Sequence, residues 1–558
     1  MADRGIDGVS DHYVERAAAL DPIAATGHGI AGHDHELTDY SPDAEAERAE
    51  LDRATLTALA RVDTSSDRDR VAADVLRERL ELGLALYDAD EWLAPLRVIG
   101  SPIQSIRQCF DLMPKATADD WATIVERVAL VPQALASFQA TLSEGVRRGR
   151  VSPRRQVEAC AQQADAWGGL GDDAPYFRTL LDAFDGAALD DHALRRRLDE
   201  LGGIATEAYA AAARYLVDEY LPHATEQDAV GADRYRLWAR AFNGADLDLA
   251  ETYAWGWEEL HRIERAMGQV ADRLLPGATI DAVIDHLETD PTRAIEGVAE
   301  FRAWLQDLLD TTIAELDELH FDIPEPVRRV EAMIAPPGGA AAMYYTPPSE
   351  DFSRPGRTWY PTLGKTRFPT WGEVSICYHE GVPGHHLQIA HVLYLGDTLT
   401  RFQRTMAGSS GHAEGWAMYA ERLMSELGYL DDPAHELGML RAQVMRAVRV
   451  VVDIGMHLEM PIATSDGFHP GETWTPDLGL EFVLTRSRFP PDFMRSEIDR
   501  YLGWPGQAIS YKVGERVWLA ARDRARTRQG EAFDLKAFHR QALDLGPMGL
   551  AQLERELA

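Results

Sequence analysis

Cysteine is scarce in this 558-residue chain: Cys109, Cys160 and Cys377 are an odd number, widely scattered, with no CxxC pair. That argues against a disulfide framework and against a thiolate metal knot, and fits a reducing cytoplasm. Lysine is rarer than its type warrants, standing only at Lys115, Lys365, Lys512 and Lys536, so arginine supplies the remaining positive charge. The 56 Lys and Arg face 91 Asp and Glu, a formal net charge of −35. Such a chain repels phosphate, which excludes nucleic acid and anionic membranes as expected partners. No run of 18 apolar residues is free of charge, and the first 22 residues carry no apolar leader ahead of a cleavage site. The GxSxG turn of serine hydrolases is missing too, and so is a literal HExxH.

What is present is mostly helix. At 45% hydrophobic and 26% charged the composition is that of a globular protein, and the length exceeds what one core usually covers. The segments 41–62, 74–92 and 190–221 carry apolar residues at three and four spacing behind Ser or Asp openings suited to N-caps. The composition changes at 321–363, where prolines, glycines and short aromatic or β-branched runs predict a few strands and turns. The reading is a mainly α fold with a small β element near 321–363. Its expected lobes are an N-terminal helical one over 1–330 and a catalytic half over 331–558, packed together as one unit around a shared cleft.

Two polar clusters in the first half are weak candidates for chemistry. "GHGIAGHDHE" (27–36) is rich in metal-ligating side chains but sits between glycines, and reads as a solvated or locally bonded loop. Glu258 and His261 have the ExxH spacing of di-iron bundles, yet no convincing second copy exists, so they read as surface or core.

"TWGEVSICYHEGVPGHHLQ" (370–388) carries more information. Thr370 and Glu373 have capping-box spacing, predicting a helix with Trp371, Val374 and Tyr378 on its apolar side and His379 and Glu380 near its end. Pro383 lacks the N–H that the His379 carbonyl would accept, and it drives Val382 from helical angles. The helix must therefore kink, bulge or loop, with Gly381 and Gly384 relaxing the backbone. A break that absorbs two residues puts His385 where HExxH has its second histidine, with His386 as alternate or supporting group. A zinc hydrolase needs a third protein ligand, and "SSGHAEGWAMYAERL" (409–423) offers Glu414 in a first helical turn. His412 and Glu421 compete for that place, or orient a ligand.

At these residues the sequence resembles a known family. "HEGVPGHHLQ", "HAEGWAMYAE", "RVVVDIGMH" (449–457) and "PGQAISYKVG" (505–514), together with "GIAGHDHELTDYSPDAEAE" (29–47), are similar to the bacterial domain-of-unknown-function 885 family. Its members resemble helical zinc metallopeptidases in which HExxH is followed by a glutamate ligand, the gluzincins of neurolysin-like and carboxypeptidase Taq-like type. The resemblance implies a two-lobed, neurolysin-like helical fold with a zinc-like site in a deep cleft. By residue type, Tyr511 or His457 is the candidate donor to a developing oxyanion, and Arg449 or Lys512, with His386, the candidate substrate contact.

The sequence thus predicts a zinc-dependent peptidase with one Zn2+ per chain on His379, His385 and Glu414, and Glu380 as the base that deprotonates water. The expected partner is a peptide or small amide. The rival readings are a metal-dependent amidase acting on a non-peptide, and a non-catalytic helical ligand-binding protein. Composition leaves the oligomeric state open.

Overall fold

Ser41 Oγ accepts from Ala44 N at 3.3 Å and starts the helix Pro42–Leu59; Ser66 Oγ does the same for Asp67–Asp88, and the Asp191 carboxylate for His192–Tyr215. Ser41 and Asp191 are the caps that the sequence offers; the middle helix instead begins ahead of Asp74, from Ser66. The computed structural model describes residues 5–170, 174–335 and 342–558. Residues 336–341, within the proline- and glycine-rich stretch, lie outside them. The fold is mainly α, with small sheets only.

Two compact units make up the chain: Met1–Asp228 with Thr400–Met406, and Ala229–Leu399 with Ala407–Ala558. The first has a core of its own around Trp121, Phe138, Phe177, Phe184 and Tyr209. Its 27–36 loop is locally bonded. Thr26 Oγ1 donates to Asp34 at 2.6 Å, and the buried Arg127 donates to the backbone oxygens of Glu36 and Pro22.

The second unit begins at Ala229 and not near 330, which corrects the boundary drawn from composition. The reason is helix packing: Leu249–Leu274 lies so close along Pro433–Leu458 that a Cβ added at Gly256 would meet Val450 Cγ1 at 2.7 Å. The composition change at 321–363 therefore marks strands inside a unit. Gly356–Tyr360 is central there, parallel to Val330–Ile334 and antiparallel to Tyr344–Thr346. Pro433–Leu458 is buried on nearly every side, as a helix through the middle of a core must be. Among the described residues no helix is long and apolar enough to cross a membrane.

Candidate metal centre

The break in the histidine helix is real and short. Glu373–Glu380 ends at Gly381, and His385–Tyr394 begins after Gly384. Gly384 N donates to Tyr378 O at 3.0 Å, and a Cβ at Gly384 would lie 2.0 Å from His379 O, so only glycine allows the chain to return so tightly. Trp416 Nε1 donates to Pro383 O at 2.8 Å and holds the turn from the neighbouring helix. The expected apolar side, Trp371, Val374 and Tyr378, is buried. The expected capping box is not formed: Thr370 Oγ1 donates instead to Arg293 O, and Glu373 Oε2 has no partner. A strand pairing of Ala294–Glu296 with Arg367–Pro369 fixes Thr370 beside Arg293, and that contact outcompetes the local cap.

The turn brings His379 and His385 together, their rings 4.8 Å apart at 83°. Glu414, in the first turns of Ser410–Glu426, completes the group, with one ligand atom from each residue within 4.8 Å of the others. Glu414 Oε2 stands 3.3 Å from His379 Nε2 and 3.5 Å from His385 Nε2. Yet that oxygen is buried and accepts no hydrogen bond of acceptable angle, and His385 Nδ1 is buried without a partner. Glu414 Oε2 thus lies close to both Nε2 atoms without a hydrogen bond to either. Ligands about 2.0–2.1 Å from a tetrahedral ion stand roughly 3.3 Å apart, so both distances from Glu414 suit a shared metal ion.

Support lies behind these three side chains. Glu421, fully buried, accepts from His379 Nδ1 at 2.8 Å and from Ser375 Oγ at 2.7 Å, with Arg446 Nη2 at 3.6 Å. A carboxylate there places the imidazole proton on Nδ1 and leaves the Nε2 lone pair for an ion. With no ion bound, burial opposes charge on His379 but Glu414 and Glu421 prevail and raise it to about 9, so an ion at Nε2 would displace a proton. Burial also works against Glu414, which the two imidazoles hold well below the usual carboxylate range. Of the two competitors for a role here, Glu421 is the one on His379. His412 is bonded through Nδ1 to Gln388 at 3.2 Å, and burial pushes it down to about 4.

Glycines invisible as chemistry set the next neighbour. A Cβ at Gly415 would lie 2.5 Å from Gly514 Cα, and one at Gly514 2.2 Å from Gly411 O. The helices Ser410–Glu426 and Ser510–Gln529 therefore cross almost backbone to backbone, one turn from Tyr511. Burial and the nearby Glu414 charge raise the Tyr511 phenol, keeping it protonated. Glu380 follows His379, nearly buried, and among the described residues no hydrogen bond or ion pair engages its carboxylate.

Three sequence candidates are placed elsewhere. His386 is buried, taking Tyr345 Oη at Nδ1 (3.0 Å) and donating from Nε2 to Val327 O (2.7 Å); it pins the strand region to the helix. His457 is buried against Tyr235 with Nε2 on Tyr501 O at 3.0 Å, and it lies two turns beyond Arg449, about 12 Å along the axis. It is a core residue. Lys512 is spent on Gln443 (2.7 Å), Glu259 (2.8 Å) and Glu515. Arg449 does border Tyr511, its guanidinium carbon 4.4 Å from the ring centroid. Arg446 was not visible as a site residue in the sequence; only its helical spacing from Arg449 hinted at it.

Comparison with known proteins places the chain in a family. The profile described as "Bacterial protein of unknown function (DUF885)" matches residues 22–557, and the chain belongs to that family. Among solved structures it is similar to a "putative lipoprotein" from Colwellia psychrerythraea, with TM-score 0.84 and 21% identity over 99% of this chain and 98% of that one. A second so described, of unknown function and from Shewanella oneidensis, gives TM-score 0.74 and 16% identity over 99% of both chains. At those identities the likeness is one of fold. A Pyrococcus furiosus carboxypeptidase aligns with TM-score 0.39 and 12% identity over 100% of this chain and 95% of that one, too slight to carry an argument. Among curated proteins none matches.

Proposed function

From membership of a family with no assigned activity, and from the convergence of two imidazoles and a carboxylate, we propose that this chain is a zinc-dependent hydrolase of amide bonds, acting on peptides. His379, His385 and Glu414 would hold one ion. Zinc in such a site supplies a Lewis acid that makes water nucleophilic near neutral pH. Glu380, next in sequence to a ligand and unengaged by any neighbour, takes the proton from the attacking water and returns it to the leaving amine. Tyr511, kept protonated, donates to the oxygen that gains charge. The observation that carries the reading is Glu414 Oε2, buried between two imidazole nitrogens without a hydrogen bond. A cytoplasmic setting belongs to the same proposal and rests on three free, buried cysteines.

The test is elemental analysis of purified wild type and Glu380→Gln, followed by digestion of a peptide library read by mass spectrometry. The expected result is one zinc equivalent in both proteins and cleavage on the order of a hundredfold slower in the variant. Equal cleavage by the two sinks the role of Glu380. Zinc without any peptide cleavage by wild type turns the reading to an amidase on another substrate. Absence of zinc leaves a binding protein.

A further inference from the structure

Arg446 and Arg449 lie on one face of Pro433–Leu458, and both flank the Tyr511 ring, their guanidinium carbons 5.9 and 4.4 Å from its centroid. Each is more than nine-tenths buried. Each also keeps unpaired N–H groups inside the protein: Arg446 Nε and Arg449 Nη1 are buried without a hydrogen-bond partner. A guanidinium hidden from water normally has its donors satisfied, because stripping their hydration without replacement is costly.

The surrounding charges do not supply the missing acceptors. Glu497 accepts from Arg449 Nη2 at 2.8 Å, but it also binds Arg500 twice and takes the Tyr501 hydroxyl, so one carboxylate serves two arginines. Tyr501 Oη accepts from Arg449 Nε at 2.9 Å, which fixes the plane of that guanidinium and leaves the Nη1 edge over. Among the described residues Arg446 has only the 3.6 Å approach to Glu421, whose oxygens already serve His379 and Ser375. Arginine forks match a carboxylate in shape as well as in charge.

We infer that Arg449, with Arg446, forms a seat beside Tyr511 for a free carboxylate of the substrate, and that the substrate class is peptides ending in an unblocked C-terminal carboxylate. This rests on the hydrolase reading above and sharpens it: the enzyme is an exopeptidase that removes residues from the C-terminal end. The seat recognises the α-carboxylate while Glu380 and Tyr511 act on the adjoining amide bond, so an internal peptide bond with no carboxylate beside it lacks the contact. An Asp or Glu side chain offers the same chemistry, and the test separates the two sources.

Two sets of N-acetylated tripeptides are digested with wild type and with Arg449→Lys. One set ends in free carboxylates and lacks Asp and Glu; the other ends in amides and includes Asp and Glu. Wild type is expected to cleave the acid set on the order of a hundredfold faster, since a site built to bond a group rejects the analogue lacking it. The acid-to-amide ratio should fall sharply in Arg449→Lys, which keeps the charge but loses the fork. Equal cleavage of both sets overturns the seat and leaves the hydrolase standing. Preference for amides with acidic side chains overturns the C-terminal assignment. A ratio unchanged in the variant removes Arg449 from it. If wild type cleaves neither set, the peptidase reading fails, and thermal shift of Glu380→Gln decides the seat by itself. Stabilisation by the acid set and not by the amide set supports it, and no difference overturns it.

Discussion

His385 and His386 are neighbours in the chain and opposites in environment. His385 presents Nε2 to Glu414 and leaves Nδ1 without a partner, whereas both nitrogens of His386 are engaged and burial pushes its imidazole down to about 4. His385→Ala is therefore expected to lose most of its bound zinc. His386→Ala should keep the zinc and lose roughly 1–3 kcal/mol of stability, as partners of two buried hydrogen bonds go unsatisfied. Elemental analysis and urea unfolding of the two variants check this, and a zinc loss confined to His386→Ala would exchange their roles. Glu421 acts at one remove, through His379 Nδ1. Glu421→Gln should weaken metal affinity about tenfold to a hundredfold, read by competition with a chelating dye; unaltered affinity would make Glu421 a mere core acid.

At the scale of the element, the histidine turn was legible because its physics is local: Pro383 removes a donor, Val382 is pushed from helical angles, and the glycines permit the return. The capping box was not, because a strand pairing from the 294–296 segment claims Thr370. "RVVVDIGMH" was misread in part, since His457 lies on a helix buried all round, where chemistry-bearing residue types serve packing. Gly411 and Gly415 were visible, but Gly514, against which they pack, is distant in sequence. Gly415→Ala is expected to cost about 1–3 kcal/mol, because the new methyl meets backbone that cannot rotate away, and to lower activity more than zinc content by displacing Tyr511. Unfolding, metal analysis and turnover on one preparation test that order. Asp453, on the same long helix as Arg446 and Arg449, gives a pH prediction. Burial raises its carboxyl to about 7, against hydrogen bonds from Tyr235 and Gly506. A folded value above the unfolded one means that the proton stabilises the fold fully below about pH 4, and that this stability is lost as pH rises toward 7, by up to about 1.4 kcal/mol per unit. Asp453→Asn should lack that slope in urea unfolding between pH 5 and 7.5, and a parallel slope in both proteins would assign it elsewhere.

For the whole molecule, composition and capping say which residues form helices but not which helices share a core, so the true unit boundary at Asp228 escaped a reading keyed to the prolines of 321–363. That division shapes the last prediction. His379, His385 and Glu414 all belong to the second unit, and they come from three separate helices. An ion that binds the folded state alone stabilises it by RT ln(1 + [L]/Kd), about 4 kcal/mol at a thousandfold excess over Kd. The elements that carry these side chains should feel its removal most, because the ion would bond all three at once. Chelation is expected to speed amide hydrogen exchange in Glu373–Glu380, His385–Tyr394 and Ser410–Glu426, with the helix His192–Tyr215 of the first unit as the internal reference. Adding zinc back should restore protection in the same three segments. Exchange in those helices that ignores both chelator and zinc would mean that no ion is bound there, and the metal reading of the site would fall with it.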